Sequence, residues 1–279
     1  MIRACVIGWP ISHSRSPMIH GYWLNRHMIQ GSYTRQPVEP AALRAFISDL
    51  DKSGLAGCNV TLPHKETVFG LVIPADETTE RLSAVNTVYL RDGKTYGTNT
   101  DGEGFIGSLR QSAPSLKLAG SCAVVLGAGG ASLAVVNALL EQDVAEVAVA
   151  NRTPQRTQDL RERFGKRVVP VAWPEAAARL PECALLVNTT SLGMTGQPRL
   201  ELELSGLNPQ AVVTDIVYTP LRTELIRRAM AQGNQTVEGL GMLLHQAVRG
   251  FSLWFGVTPE VTDELYDLVA RDIDPDYSR

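Results

Sequence analysis

Short apolar runs alternate with helical patterns over the first hundred residues of the chain. The pattern predicts, in order, a strand at 4–7, helices at 18–27 and 41–50, a strand at 57–61, a weaker helix around 80–81, and strands at 84–90 and 95–99. The last two strands flank Asp92-Gly93, a dipeptide typical of hairpin turns. We therefore expect this region to fold as an α/β unit that contains a hairpin.

A second, more regular pattern begins near residue 121. Strands that look buried alternate with helices, at 121–126, 132–142, 146–150, 154–164, 168–171, 185–188 and 212–216. Alternation of this kind predicts βαβ units, and βαβ units build a parallel sheet. Two further helical patterns follow, at 239–255 and 259–270.

Composition narrows the class of protein. The chain has 279 residues, of which 44% are hydrophobic and 20% charged, which fits a globular protein of two domains. The net charge is −3 and the basic residues are scattered, so nothing indicates a nucleic-acid partner. No stretch has the length of a membrane span, and the N-terminal residues do not resemble a signal peptide. Four widely spaced cysteines without metal-binding spacing predict free thiols, so we expect a cytoplasmic protein without a metal site.

Two polar clusters fit neither a core strand nor an amphipathic helix. The first, at 59–65, ends in Lys65, and the second, at 97–102, contains Asp101. Both predict turn-like segments, where binding and catalytic groups are often carried. A lysine near a carboxylate can move a proton at an alcohol or a ketone, whereas a surface Lys–Asp ion pair would contribute little. Lys65 and Asp101 are therefore candidate catalytic residues.

A glycine-rich turn, Gly127-Ala128-Gly129-Gly130-Ala131, follows the strand at 121–126 and opens a helix. In that context glycines let a pyrophosphate approach backbone N–H groups at the helix N-terminus. Ser132 stands where the simple dinucleotide fingerprint has a third glycine or an alanine. The turn predicts a dinucleotide site, with a purely structural turn as the alternative.

The end of the next strand bears on the choice of cofactor. An enzyme that favours NAD usually has an acidic side chain there, which holds the ribose hydroxyls. Here the residues are Asn151, Arg152 and Thr153, with Arg156 one turn on. The two guanidinium groups can bind a 2′-phosphate through several donors, so the pattern favours NADP over NAD. The alternative is a pair of exposed arginines at the start of a helix.

Nine motifs, in order along nearly the whole chain, closely resemble the shikimate dehydrogenase family. They are GWPISHSRSPMIH (8–20), NVTLPHK (59–65), AVNT (84–87), NTDG (99–102), GAGGA (127–131), NRT (151–153), NTTSLGM (188–194), DIVYTPL (215–221) and GLGMLLHQA (239–247). The resemblance implies an α/β fold with an N-terminal substrate domain at 1–102 and a Rossmann-like NADP domain at 103–238. Helices within 239–279 would pack back on the substrate domain.

The resemblance also implies the activity. It predicts an NADP-dependent oxidoreductase that interconverts 3-dehydroshikimate and shikimate in aromatic amino-acid and chorismate biosynthesis. Lys65 would accept the hydroxyl proton during oxidation and return it during reduction, with Asp101 as its partner. The four histidines at 13, 20, 64 and 245 are then expected to be structural.

Substrate contacts follow from the same resemblance. Ser14 and Ser16 would bind the carboxylate of shikimate. The other expected substrate contacts are Asn59, Thr61, Asn86, Asp101, Tyr218 and Gln246. Structural alternatives exist, because Ser16 could cap the following helix, and Asn or Asp near a turn often binds its own backbone.

Cofactor contacts are implied in the same way. The turn at Gly127, Ala128, Gly129, Gly130 and Ala131 would hold the pyrophosphate. The 2′-phosphate would be bound by Asn151, Arg152, Thr153 and Arg156, and the nicotinamide would lie near Ile216 and Gly239. Glu77 matches a position that can face the cofactor. The alternative is that Glu77 is simply exposed and contacts no cofactor.

The chain departs from the commonest family pattern at Trp9, at Gly21 where asparagine is common, and at Leu133 where a basic residue is often found. The family also includes quinate/shikimate and aminoshikimate enzymes, and quinate enzymes often use NAD. A dehydrogenase of quinate or of a related cyclohexane polyol acid is therefore the alternative. Ser14, Ser16 and Arg152 favour shikimate and NADP. A non-catalytic NADP-binding regulator is a lesser alternative. We expect a small-molecule substrate, no membrane partner, and a monomer or homodimer.

Overall fold

The computed structural model describes residues 1–278 and divides into two compact units. Unit 1 consists of 1–100 and 246–269. Unit 2 consists of 101–245 and the described residues from Ala270 onward. Each unit contains one six-stranded sheet.

Unit 1 is built on a mixed sheet. Its strands are β1 (Ile2–Gly8), β2 (Gly31–Pro37), β3 (Gly57–Val60), β4 (Ile73–Pro74), β5 (Thr87–Arg91) and β6 (Lys94–Thr98), in the order β2-β1-β3-β5-β6-β4. The β1 strand pairs in parallel with β2 and β3, and β4 pairs in parallel with β6. The β5 strand is antiparallel to both β3 and β6, which confirms the hairpin predicted at Asp92-Gly93.

Four α-helices and two 3₁₀ turns complete the N-terminal part of unit 1. They are α1 (Ser16–Arg26), α2 (Leu43–Ser48), α3 (Lys65–Phe69) and α4 (Glu77–Leu82), with 3₁₀ turns at Pro40–Ala42 and Leu50–Lys52. The residues of 246–269 pack on this part through aromatic side chains. Trp254 donates its indole N–H to the Val88 carbonyl at 2.9 Å, and Trp23 donates to the Glu260 carbonyl at 3.0 Å. Gly57 permits the first contact, since a Cβ there would collide with the Trp254 ring.

Unit 2 is built on an all-parallel sheet. Its strands are β7 (Cys122–Leu126), β8 (Glu146–Asn151), β9 (Val168–Ala172), β10 (Leu185–Asn188), β11 (Val212–Asp215) and β12 (Thr236–Val237), in the order β12-β11-β10-β7-β8-β9. The connections are α5 (Asp101–Ser112), α6 (Gly130–Glu141), α7 (Pro154–Phe164), α8 (Glu224–Ala231) and a 3₁₀ segment at Trp173–Glu182. This strand order is that of a doubly wound dinucleotide-binding fold, with its switch point between β7 and β10.

Both faces of the unit 2 sheet are covered. Along β7, Ala123 and Val125 belong to one hydrophobic cluster, whereas Val124 and Leu126 belong to another on the opposite face. Strands covered on both faces read as continuous apolar runs, which is why they were recognisable in the sequence.

Two helices pass from one unit to the other. The α9 helix (Leu240–Phe255) begins in unit 2 and ends in unit 1, and α10 (Asp263–Ile273) begins in unit 1 and ends in unit 2. Residues 101–102 and 239–245 and the described residues from Ala270 onward thus fall in unit 2, whereas the resemblance implies that they belong to the substrate domain. The assignment of a ligand to each domain stays a prediction.

The sequence pattern missed several elements and misjudged two residues. The missed ones include β2, which is mostly polar, and α5, which carries three glycines and so has a weak helix signal. The expectation that Lys65 and Asp101 lie on turns was wrong, since each is the first residue of a helix. In the described part of the chain, no helix is long and apolar enough to cross a membrane. All four cysteines are free thiols, as expected.

Candidate active site

Lys65 lies at the end of a turn that unit 1 holds at several points. At the start of the turn, directly after β3, the Thr61 N–H donates to the Ile7 carbonyl at 3.0 Å. The buried His64 ring bonds to the Val38 carbonyl at 2.7 Å, a structural role that agrees with the expectation for this histidine. The Lys65 carbonyl accepts from the Val85 N–H at 2.9 Å, so Lys65 lies beside the segment that carries Asn86. The structure therefore brings Thr61, Lys65 and Asn86 together.

Asn59 and Asn86 form a buried network in unit 1. Their exposed fractions are only 5% and 2%. The Asn59 amide group donates to the Asn86 carbonyl at 3.2 Å and to the Thr87 hydroxyl at 3.1 Å. The Asn86 side-chain oxygen accepts from the Thr100 N–H at 3.0 Å. Whether either side chain reaches a substrate stays a prediction.

Ser14 and Ser16 face each other at the start of α1. The Ser14 hydroxyl lies 3.2 Å from the Ser16 hydroxyl and accepts from the Ser16 N–H at 3.3 Å. Ser16 is the first residue of the helix, the cap is Arg15, and no side chain caps the N-terminus. The alternative that Ser16 serves as the helix cap is therefore wrong. In this structure the Ser14 hydroxyl donates its proton to Ser16, so it would have to rotate to donate to a carboxylate.

Gln246 is tied to Thr100 within unit 1. The Thr100 hydroxyl donates to the Gln246 carbonyl at 2.7 Å, which joins the end of the second polar cluster to α9. Asp101, the next residue, belongs to unit 2, whereas Lys65 belongs to unit 1. The proposed partnership of Lys65 and Asp101 stays a prediction. Glu77 is an exposed residue of unit 1 at the start of α4, and its contact with a cofactor also stays a prediction.

The glycine-rich turn in unit 2 lies at the switch point of the parallel sheet. Gly127 has a φ of +105°, and a Cβ there would lie 2.8 Å from the side chains of Thr189 and Thr190. Nothing lies within 4 Å of the corresponding positions at Gly129 and Gly130. Gly129 is the N-cap of α6, so this open space lies beside the start of a twelve-residue helix. Such a helix end attracts phosphate groups.

Ser132 fits this turn despite its departure from the fingerprint. Its side chain is fully buried, and its hydroxyl donates to the Gly129 carbonyl at 2.6 Å. The hydroxyl is therefore satisfied inside the first turn of α6. The serine stabilises the loop conformation rather than blocking it.

The end of β8 presents basic groups without a neighbouring carboxylate. Asn151 is half-buried and donates to the Thr153 carbonyl at 3.0 Å, which shapes the turn before α7. Arg152, Thr153 and Arg156 are exposed, and the first turn of α7 contains no acidic residue. Within residues 1–278 neither arginine forms an ion pair. The donor set therefore fits the 2′-phosphate of NADP better than free ribose hydroxyls.

Asp215 holds the segment that carries Ile216 and Tyr218. The carboxylate is 1% exposed and accepts from the Asn188 amide at 2.9 Å, the Val217 N–H at 3.0 Å and the Thr223 hydroxyl at 2.7 Å. Burial raises the pKa of Asp215 to about 6, although the three donors act in the opposite direction.

Gly239 lies against the same segment. A Cβ on Gly239 would lie 2.6 Å from the Asp215 and Val217 carbonyls, so the structure brings Gly239 and Ile216 together. Sequence reasoning gave no role to Asn188, Asp215 or Thr223. The only signal was that these positions fall in or beside motifs at the ends of two buried strands.

The parallel sheet, its glycine-rich turn and the basic end of β8 define a nucleotide-binding α/β protein with a second α/β unit. Three family models match the chain: the shikimate dehydrogenase substrate binding domain at 6–88, the shikimate / quinate 5-dehydrogenase at 109–196, and the shikimate 5′-dehydrogenase C-terminal domain at 239–263. The chain belongs to the shikimate dehydrogenase family. Membership confirms the resemblance seen in the motifs.

Relatives and solved structures agree with this assignment. A shikimate dehydrogenase (NADP(+)) of Rhodopseudomonas palustris strain TIE-1 is 54% identical over 98% of this chain and 97% of its own length. The crystal structure of shikimate 5-dehydrogenase from Thermus thermophilus with NADP(H) and shikimate is 36% identical, with a TM-score of 0.86 over 97% of this chain and 99% of that one. Quinate dehydrogenase from Corynebacterium glutamicum with NAD is 31% identical, with a TM-score of 0.87 over 96% and 98%.

The raised pKa of Asp215 predicts a specific pH dependence of stability. Because the folded-state pKa is about 6 and the ordinary value is 3.8, folding favours the protonated carboxyl. Its contribution is complete below pH 3.8 and is lost as the pH rises through about 6. Two pKa units correspond to about 3 kcal/mol. We expect the unfolding free energy of wild type minus that of Asp215→Asn to fall by roughly this amount between pH 4 and pH 7.

Chemical denaturation at several pH values measures this difference. Asp159→Asn serves as the control, because Asp159 is an exposed aspartate of the same unit. A difference that stays constant with pH for Asp215→Asn would show that the buried carboxyl titrates normally.

Proposed function

We propose that the protein is an NADP-linked shikimate dehydrogenase that interconverts 3-dehydroshikimate and shikimate. The observation that carries this proposal is the full-length similarity to enzymes of that name, in a chain whose β8 end presents arginines and no carboxylate. The reaction belongs to aromatic amino-acid and chorismate biosynthesis. NADP, when bound, supplies a nicotinamide ring that takes up or gives a hydride.

Unit 2 carries the groups proposed to hold the cofactor. Gly129 and Gly130 leave open space at the N-terminus of α6, where the pyrophosphate would accept from backbone N–H groups. Arg152 and Arg156 would bind the 2′-phosphate together with Asn151 and Thr153, in the turn that the Asn151 side chain shapes. Ile216 and Gly239 would lie along the nicotinamide, on the segment that Asp215 anchors.

Unit 1 carries most of the groups proposed to hold the substrate. Ser14 and Ser16 would donate their hydroxyl groups to the carboxylate. The ring hydroxyls would be bound by Asn59, Thr61, Asn86, Asp101 and Gln246, and Tyr218 would add a further contact. The buried network around Asn86 supports this proposal, because a preorganised amide orients a hydroxyl without the entropic cost of ordering itself.

Lys65 is proposed to move the proton. During oxidation its neutral amine would accept the proton of the reacting hydroxyl as hydride leaves the same carbon. During reduction its ammonium group would return a proton to the forming alkoxide. The backbone bond between Lys65 and Val85 supports the role, because it holds the lysine beside Asn86. Asp101 would orient the amine and the hydroxyl.

We also propose that the enzyme acts in the cytoplasm, as a monomer or homodimer, and binds no nucleic acid. Four free thiols support a reducing compartment. A net charge of −3 is unfavourable for binding a phosphate backbone.

A matrix of kcat/KM values tests the proposed function. Shikimate and quinate are each assayed with NADP and with NAD by following the absorbance of the reduced cofactor. We expect the highest value for shikimate with NADP. A higher value for quinate with NAD would make the protein a quinate dehydrogenase. Tight NADP binding with no turnover of either acid would indicate a regulator.

Lys65→Ala should abolish most of the turnover. General acid–base catalysis contributes about 10²–10⁴-fold, so kcat should fall by that amount with only a modest change in KM. Lys52→Ala is the control, because Lys52 forms only an exposed i,i+3 ion pair with Asp49. Near-normal turnover in Lys65→Ala would remove Lys65 from the chemistry.

Arg152→Ala should change the choice of cofactor. Loss of a charge-assisted bond to the 2′-phosphate should lower kcat/KM for NADP by about 10–100-fold and leave the value for NAD almost unchanged. Arg161→Ala, an exposed arginine later in α7, is the matched control. Equal losses with both cofactors would refute the 2′-phosphate role.

A further inference from the structure

Tyr33 lies on β2, outside every motif of the family resemblance, yet its hydroxyl bonds to Asn59, a residue proposed to bind substrate. The side chain is buried, with 7% of its surface exposed. Its hydroxyl donates to the Asn59 side-chain oxygen at 2.5 Å. Through this bond Tyr33 connects β2 to the asparagine network at β3 and β5.

The ring of Tyr33 is fixed by aromatic packing. The His20 ring stacks on it at 3.9 Å between centroids, and Trp254 packs at 5.9 Å. Burial lowers the pKa of His20 to about 3, so this histidine is neutral. Burial also raises the pKa of Tyr33 well above its usual range, so the hydroxyl keeps its proton and remains a donor.

Hydrogen bonds of the Asn59 side chain link Tyr33 to Asn86 and Thr87. The Asn59 side-chain oxygen accepts from Tyr33, and its two amide hydrogens go to the Asn86 carbonyl and the Thr87 hydroxyl. The orientation of the Asn59 amide is therefore determined, because a flip would place donors opposite the Tyr33 hydroxyl proton.

Asn86 is oriented in turn by the groups around its side-chain oxygen. The Thr87 hydroxyl donates to this oxygen at 3.0 Å, and the Thr100 N–H donates at 3.0 Å. The Thr100 hydroxyl lies 3.2 Å from the same oxygen but only 2.7 Å from the Gln246 carbonyl. Because a hydroxyl has one proton, the Gln246 carbonyl receives it. The Asn86 carboxamide is thus set by Thr87 and Thr100.

We propose that Tyr33 is a positioning residue of the substrate site, which orients Asn86 through Asn59 and Thr87. The inference rests on the proposed function, since it takes Asn86 as a ligand of a ring hydroxyl. Without the tyrosine hydroxyl, the Asn59 oxygen would be buried without its donor, and the amide would turn or shift to find another. The Thr87 hydroxyl would then lose the Asn59 donor that orients it toward the Asn86 side-chain oxygen.

Tyr33→Phe tests the inference, because phenylalanine keeps the ring and its packing. We expect KM for shikimate to rise about tenfold, which corresponds to about 1.4 kcal/mol, and KM for NADP to stay within about twofold. Thr87→Val, which interrupts the path between Asn59 and Asn86, should give the same split. Tyr89→Phe is the matched control, because Tyr89 is a buried tyrosine of the same sheet that stacks on Tyr96 outside this network.

A double-mutant cycle with Asn86→Ala separates positioning from general stabilisation. In that background Tyr33→Phe should add less than about threefold to KM, because its effect passes through Asn86. The inference is overturned if the KM increases of Tyr33→Phe and Asn86→Ala simply multiply in the double variant. It is also overturned if Tyr33→Phe and Thr87→Val lower the melting temperature but leave KM for shikimate unchanged. If wild type turns over shikimate and these variants match Tyr89→Phe, the inference alone fails. If wild type does not turn over shikimate, both the proposed function and the inference are refuted.

Discussion

Buried polar groups must find hydrogen-bond partners, and both units meet this requirement at the strand ends that carry the candidate site. In unit 1, the Asn59 amide donates to the Asn86 backbone carbonyl, and the Asn86 side-chain oxygen accepts from the Thr100 N–H. In unit 2, the Asp215 carboxylate accepts hydrogen bonds from Asn188 at the end of β10, from the Val217 N–H in the following loop, and from Thr223 at the start of α8. In each case the partners come from separate segments. One satisfied group therefore fixes several loops at once, and these loops carry the residues proposed to bind ligands.

The glycines of the nucleotide turn are needed for two different reasons, which are backbone packing at one position and open space at the others. Gly127 is required by the protein itself, because its φ is positive and the side chains of Thr189 and Thr190 leave no room for a Cβ. Gly129 and Gly130 meet no such neighbour, and the space beside them lies at the N-terminus of α6. The sequence left a structural turn and a phosphate site as alternatives. The structure shows that the motif combines packing at its first glycine with an accessible helix end at the others.

The hydrophobic pattern predicted an element correctly where that element is buried, and failed where it is polar or rich in glycine. The elements from β7 to α7 were predicted within two residues, because strands covered on both faces are apolar throughout and α7 begins with a proline. The β2 strand was missed, since its residues are mostly polar, and α5 was missed because glycines dilute its helical signal. For the candidate site, motifs pointed to Ser14, Lys65 and the nucleotide turn, whose roles stay predictions. The same reasoning overlooked Tyr33 and Thr223, which bond to Asn59 and Asp215 from elsewhere in the chain.

By itself, the sequence determined the two-unit α/β organisation, the family and NADP as the expected cofactor, because these follow from local periodicity, from motif order and from the identity of side chains at one strand end. Only the tertiary structure decided which buried groups hold the site segments in place. Tyr33 meets Asn59, Asn188 meets Asp215, and Thr100 meets Gln246 across 146 residues of sequence. Such pairings depend on strand order and on the packing of distant segments within each unit, and no local pattern encodes either.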